Sequence, residues 1–291
     1  IEVEKKLGID GKDQIEAFDC EPYVMKCHES VWNYKGMWED FSGTVGFWAD
    51  MDDPYVTYDN DYIESVWWSL KEIWEKDLLY KGHKIVPYCP RCGTPLSTHE
   101  VAQGYKDVNE ESAIAKFKIV DEDNAYFLAW TTTPWTLPSN VALAVNPQES
   151  YVKVKQDDSI FYMAGALTDK VLGEGTYEVI ETMTGKDLEF VKYQPLFDFQ
   201  EAYEIGYFVT CADYVTLSDG TGIVHIAPAF GEDDAQVGKK YNLPFVQLVD
   251  LKGEFVDAVT PWKGRFVKDC DPDIIKYLEE SGKLYKALEY E

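Results

Sequence analysis

A chain of 291 residues with 45% hydrophobic and 15% aromatic content can build one large domain or two smaller ones, and this excludes a disordered polymer despite 27% charged residues. Acidic residues outnumber basic ones 53 to 27, a formal charge of −26, which excludes broad binding to phosphate backbones but not a local site for one nucleotide end. No apolar run approaches the ~20 residues that span a bilayer, so no membrane partner is expected, and six scattered cysteines argue for a reducing cytoplasm over a disulfide scaffold.

The start, IEVEKKLGID, is charged and amphipathic, so no secretory signal is expected; without an initiator methionine it reads as a piece excised from a longer polypeptide. Residues 1 to about 85 read as mainly helical. Val24, Val31, Tyr34, Trp38 and Phe41 outline one helix with a single apolar stripe. Ile63, Val66, Trp67, Leu70, Ile73 and Trp74 outline a second, which Gly82 can close. The acidic stretches DMDDPY and YDNDYIE lack the spacing of a calcium loop and read as solvated loops. YCPRCGTPLSTHE then marks a knuckle, dividing a helical flanking segment, 1–97, from a second domain, 98–291. Its Cys89 and Cys92 look like half of a zinc ribbon, which needs four ligands; His99 would supply only a third, and a simple buried turn is the alternative.

Beyond residue 98 the texture becomes β-rich. AIAKFKIV, AYFLAWTTT, VALAV, the probable hairpin YVKVKQDDSIFYMAG, LEFVKY, YFVTCADYVTL and GIVHIAP read as strands. ALTDKVLG, DDAQVGKKYNL and DPDIIKYLEESGKL read as helices; in the last, Asp271 suits the N-cap, Pro272 the first turn and Gly282 the stop. The expected fold is α+β: a curled or barrel-like mixed sheet with peripheral helices, ending in a return helix.

Two stretches carry candidate chemistry. In FLAWTTTPWTLPSN, Thr131, Thr132 and Thr133 lie where a strand ends before Pro134, and alternation sends Thr131 and Thr133 to one face and Thr132 to the other. Their hydroxyls can hold a water or a substrate oxygen. With no adjacent base they are poor nucleophiles, and threonines that merely pair across a sheet are the bland alternative. Trp130 and Trp135 suit either core or cavity wall. In GTGIVHIAPAFGEDDA, Ile223, His225 and Ala227 share a strand face, and Glu232, Asp233 and Asp234 open a helix. Carboxylates there suit the helix dipole; alternatively, one turns back over the sheet to hold a cation such as an ammonium group.

Together, AWTTTPWTLPSN, GTGIVHIAPAFGEDDA, YCPRCGTPLS and DMDDPYVTYDNDYIESVWW resemble the isoleucyl-tRNA synthetases over nearly the whole chain, in their large editing insertion with N-terminal flanking sequence. The threonine motif is specific: valyl and leucyl relatives carry Thr-Arg-Pro where this chain has Thr-Pro-Trp. The resemblance implies a proofreading hydrolase that cleaves valine from isoleucine tRNA, with the 3′ CCA end of that tRNA and the rest of the synthetase as partners, as a monomer. A non-catalytic tRNA-end-binding or structural module is the alternative. ATP and magnesium belong to the parent's ligase site, whose HIGH-like and KMSKS-like motifs are absent here, so editing needs no cofactor. The resemblance casts Asp234 as anchor for the substrate ammonium and Thr131, Thr132 and Thr133 as the groups that orient water on the ester. Trp135 and Asn140 would shape that loop, and His225 would bound the side-chain cavity. It also implies that a second Cys-x-x-Cys beyond the insertion completes a zinc site with Cys89 and Cys92. The isoleucyl enzyme is itself the standard case of why such a cavity exists: one methylene carries only ~1–3 kcal/mol of discrimination.

Overall fold

The computed structural model describes residues 2–199 and 205–291. The chain falls into two compact units, Ile1–Lys84 with Arg91–Gly93, and Ile85–Pro90 with Thr94–Glu291.

The first unit is helical: α1 (Glu2–Leu7), α2 (Lys12–Phe18), α3 (Cys20–Trp32), α4 (Lys35–Thr44) and α5 (Asn60–Trp74). The single helix expected over Val24 to Phe41 is two, broken at residues 33–34. α5 ends at Trp74, short of Gly82, as Asp77 enters the left-handed region at φ 55°. No side chain of α2 to α5 is buried, so their apolar stripes cover no core within this unit. Pairs one turn apart, Lys35–Glu39 and Lys71–Glu75, add small local support of about 0.2–0.5 kcal/mol each.

The second unit opens with a short ribbon, β1 (Tyr88–Cys89) against β2 (Thr94–Pro95), followed by α6 (Thr98–Ala102), whose start is held by a Ser97–Glu100 capping box. The main sheet comprises β3 (Glu110–Lys118), β4 (Ala125–Thr131), β5 (Ala142–Val145), β6 (Ser150–Gln156) and β7 (Ser159–Ala164), then β8 (Glu178–Thr184), β9 (Phe208–Cys211), β10 (Ile223–Ile226) and β11 (Leu284–Tyr290). Short α7 (Thr168–Leu172), α8 (Glu232–Tyr241) and α9 (Asp271–Glu280) lie among them in sequence. The fold is α+β, with a curled mixed sheet.

The curl centres on β4. It is antiparallel to β3 along most of its length, while its other edge pairs first with β7, through residues 125–127, and then with β10 at Trp130. Two branches leave β4, one through β7, β6 and β8, the other through β10, β5 and β9. On the other edge of β4 the fully buried Phe117 of β3 faces Phe127 across the β3–β4 ladder, and Phe127 packs on Tyr162 at 5.4 Å. Burying each such ring contributes about 1.5–3 kcal/mol before strain and entropy. Ile274 and Leu278 of α9 belong to the same core, which brings α9 beside the turn that follows β4.

Several expected elements differ. LEFVKY is no strand: a 3-10 turn, Gly185–Leu188, and Phe190 at φ 67° bend it, leaving isolated bridges at Lys192 and Tyr193. The strand expected over 207–217 shortens to β9. Strands β8 and β11 escaped notice because both are largely exposed and carry Glu, Lys or Ala; pairing with β6 and β3 makes them strands. Asp271 is not the cap of α9 but its first residue, with Cys270 at the N-cap, because its carboxylate is engaged elsewhere.

Candidate functional site

Strand β4 leaves the sheet at Thr131 and turns into a 3-10 helix over Pro134–Ser139. Proline at its first position has no N–H to leave unpaired. The neighbouring donors are met locally: Thr133 N–H donates to Thr131 Oγ1 at 3.0 Å, Thr136 N–H to the Thr133 carbonyl at 3.0 Å, and Trp135 N–H to Asp271 Oδ1 at 2.8 Å. Threonine hydroxyls thus replace ladder partners where the strand ends.

Strand β10 runs parallel beside β4, with Val224 opposite Trp130, and antiparallel to β5, with His225 opposite Leu143. The chain then reaches Gly231, the N-cap of α8. Asp234, in the first turn, folds back: Oδ2 accepts the Ala227 N–H at 2.9 Å and Oδ1 the Tyr214 hydroxyl at 3.4 Å. A Cβ at 231 would stand 2.9 Å from the Asp234 carboxyl carbon, so any larger residue there would displace the carboxylate.

These elements enclose a cavity of about 320 Å³ lined by Thr131, Thr132, Thr133, Thr136, His225 and Asp234, with Trp130 and Phe230 among its apolar walls. Burial pushes the Asp234 carboxyl up to about 6 from an ordinary 3.8, against the pull of its two hydrogen bonds. Burial pushes His225 down to about 4, so it is neutral near pH 7. Its Nε2 lies 2.9 Å from Thr136 Oγ1, and the Thr136 hydroxyl donates to the Thr133 carbonyl at 2.8 Å. That assignment makes Nε2 the protonated nitrogen and leaves a bare Nδ1, which is buried and has no partner among the described residues. Thr133 Oγ1 lies 3.2 Å from Thr136 Oγ1 and 3.4 Å from Thr131 Oγ1, extending the chain of hydroxyls. The Thr132 side chain takes part in none of these bonds. The arrangement joins one desolvated carboxylate, able to hold a cation, to a row of hydroxyls able to orient water.

The structure therefore brings Trp130, Thr131, Thr132, Thr133, His225 and Asp234 together. It does not bring Trp135 or Asn140 to the cavity. The Trp135 ring packs edge-on against Phe230 at 5.1 Å, behind the wall. Asn140 is buried, donating to the Ala142 carbonyl at 2.8 Å and accepting from the Tyr193 hydroxyl at 2.7 Å, so its role is to hold the turn. Sequence reasoning missed Thr136, Tyr214 and Gly231. Thr136 had a signal: residues three apart stack in a 3-10 helix, which places it over Thr133. Cys89 lies on β1 and Cys92 in the turn after it, while the His99 ring bonds to Gln103 at 3.0 Å. Among the described residues no group of three or more His, Cys, Asp or Glu side chains is placed to hold a metal ion.

Residues 1–279 match the family profile described as "tRNA synthetases class I (I, L, M and V)". The chain belongs to this family. It is 58% identical over 290 residues to the isoleucine–tRNA ligase of Clostridium novyi (strain NT), covering 100% of this chain and 28% of that protein. It is 53% identical over 289 residues to the isoleucine–tRNA ligase of Bacillus thuringiensis (strain Al Hakam), covering 99% and 28%. The chain thus spans about 28% of the length of these curated relatives. Among solved structures it is similar to "The crystal structure of GlLeuRS-CP1", with TM-score 0.50 and 17% identity, covering 62% of this chain and 100% of that one. At that identity the likeness concerns the fold. Among the described residues of this class I synthetase chain no helix is long and apolar enough to cross a membrane.

Proposed function

We propose that the chain is the proofreading part of an isoleucine–tRNA ligase and hydrolyses the ester of valine mischarged onto isoleucine tRNA. The observation that carries this reading is that the half-buried Asp234 lines the same cavity as four threonines, Thr131, Thr132, Thr133 and Thr136. The α-ammonium of the amino acid pairs with Asp234, which stays mostly ionised above pH 6 and is held ionised more firmly once the cation arrives. The ester carbonyl then lies by Thr132, whose hydroxyl has no hydrogen-bond partner among the described residues. Water attacks the carbonyl carbon, the bond to the ribose oxygen breaks, and that oxygen leaves with a proton, giving free valine and uncharged tRNA. An aminoacyl ester is already activated, so orientation and polarisation carry most of the work, without a covalent intermediate. His225 and Thr136 lock together at the cavity wall, where a rigid boundary excludes a side chain one methylene larger. No step is routed through a metal. Isoleucine ligation with ATP would belong to the remaining length of such a protein.

The test follows ester loss from Val-tRNA and Ile-tRNA, both of the isoleucine type. Valine should be released faster; equal rates would defeat the size-sieve reading, and no release of either would leave a non-catalytic module. Asp234→Ala should abolish hydrolysis with the far-UV spectrum unchanged.

A further inference from the structure

The hydroxyl row of the cavity depends on a residue that lies outside it. Thr133 is the N-cap of the 3-10 helix Pro134–Ser139, yet its side chain makes no capping bond. An N-cap threonine ordinarily commits its hydroxyl to an N–H two or three residues on. Ser97, in the same position before α6, does so and accepts the Glu100 N–H at 3.3 Å. After Thr133 both such donors are met by other groups. Thr136 N–H donates to the Thr133 carbonyl at 3.0 Å, and Trp135 N–H donates to Asp271 Oδ1 at 2.8 Å. Thr133 Oγ1 therefore stays in the row, 3.2 Å from Thr136 Oγ1 and 3.4 Å from Thr131 Oγ1, with Thr133 on the cavity wall. Asp271 is itself buried and does not line the cavity.

The Asp271 carboxylate is fixed from behind. Oδ2 pairs with Lys268 at 2.9 Å, and Lys268 reaches Glu110, at the start of β3, at 2.7 Å. Strand β3 runs beside β4 as far as Thr131, which stands opposite Ala113. Ile274 and Leu278 anchor α9 in the core. The brace thus joins α9, β3 and the threonine turn. We infer that Asp271 is a positioning residue for the hydrolysis: by capping the 3-10 helix in place of Thr133, it leaves the Thr133 hydroxyl available to orient the attacking water. The inference rests on the ester-hydrolase reading above. Without Asp271 the Trp135 N–H loses its partner, and the acceptor in the ordinary capping position is Thr133 Oγ1. Rotation to that rotamer turns the hydroxyl from the row toward the backbone, and a displacement of about 1 Å in such a group costs about 100-fold in rate.

The experiment follows Val-tRNA hydrolysis by the 291-residue chain in wild type, Asp271→Ala, Asp271→Asn, Thr133→Ala and the double variant Asp271→Ala with Thr133→Ala, far-UV spectra confirming the fold of each. Asp271→Ala should lower kcat about 100-fold with KM within about twofold, because the ammonium partner Asp234 is untouched. Asp271→Asn keeps an acceptor for the N–H and should hold kcat within about fivefold of wild type. The double variant should be no slower than Thr133→Ala alone, since both changes remove the contribution of one hydroxyl. A loss below about tenfold in Asp271→Ala, an equally deep loss in Asp271→Asn, or multiplied losses in the double variant overturns the inference. If Asp271→Ala does not fold, Asp271→Ser, whose shorter side chain suits a helix start, replaces it with the same expectations. Should wild type release no valine, the hydrolase reading fails by itself. Crystal structures of wild type and Asp271→Ala then decide the capping exchange: Thr133 Oγ1 must turn to the Trp135 N–H in the variant, and an unmoved hydroxyl overturns the proposal.

Discussion

Asp234→Asn keeps the shape of the side chain and an acceptor for the Ala227 N–H while removing the charge. Burial holds the folded carboxyl at about 6 against an ordinary 3.8, so folding carries a penalty of roughly 3 kcal/mol once both states are ionised. The group is only half-buried, and screening at the cavity mouth reduces this to about 1–3 kcal/mol. The direction follows from the raised value. The penalty is complete above about pH 6, fades as the folded state takes up its proton between about 6 and 3.8, and is gone below that. In urea melts the variant should therefore be more stable than wild type by about 1–3 kcal/mol at pH 8, by about half that near pH 5, and not at all near pH 3, with m unchanged. Comparing the pair cancels the titration of the other carboxylates in this acidic chain. Hydrolysis of the valyl ester should fall by about 10–100-fold, because the ammonium loses a charged partner. A variant less stable than wild type at pH 8, or a stability gap flat in pH, would refute the view that Asp234 is a desolvated charge kept for binding at the expense of stability.

Gly231→Ala should act on the same carboxylate from behind, since its Cβ would meet Asp234 at 2.9 Å. Valyl ester hydrolysis should drop at least about tenfold with little change in fold, and full activity would show that the close approach is unimportant. Thr136→Val removes the partner of His225 Nε2 and leaves both buried ring nitrogens unmet. The expected cost is about 1–3 kcal/mol in urea melts, together with a reduced ratio of valyl to isoleucyl ester hydrolysis. Unchanged values of both would remove Thr136 from the wall of the site.

Much of the site was legible because its residues sit in two short stretches. Three adjacent threonines before Pro134, and three acidic residues opening a helix after a strand, each announce unusual backbone ends. The resemblance implies that Trp135 and Asn140 shape the threonine loop, but proximity in sequence does not say which way a 3-10 turn faces. Asn140 spends its amide on Ala142 and Tyr193 instead. Asp271 shows the same limit from the other side. Its sequence context suits a helix cap, yet its carboxylate takes the Trp135 N–H, 136 positions away, and pairs with Lys268 at 2.9 Å.

By itself the sequence determined the α+β character, most strands of the sheet, the helical first unit and the two stretches that line the candidate cavity. These depend on local pattern: β-branched runs, apolar spacing, proline and glycine. Only the tertiary structure decided that β8 and β11 are strands, since exposed, charged segments take that form from their neighbours' unpaired N–H and C=O groups. It alone decided that Thr136 and Gly231 belong to the site, that Asp234 rather than Glu232 or Asp233 turns inward, and that burial moves its carboxyl to about 6. Desolvation and the meeting of β4 with β10 arise from residues almost a hundred positions apart, and no local pattern encodes them.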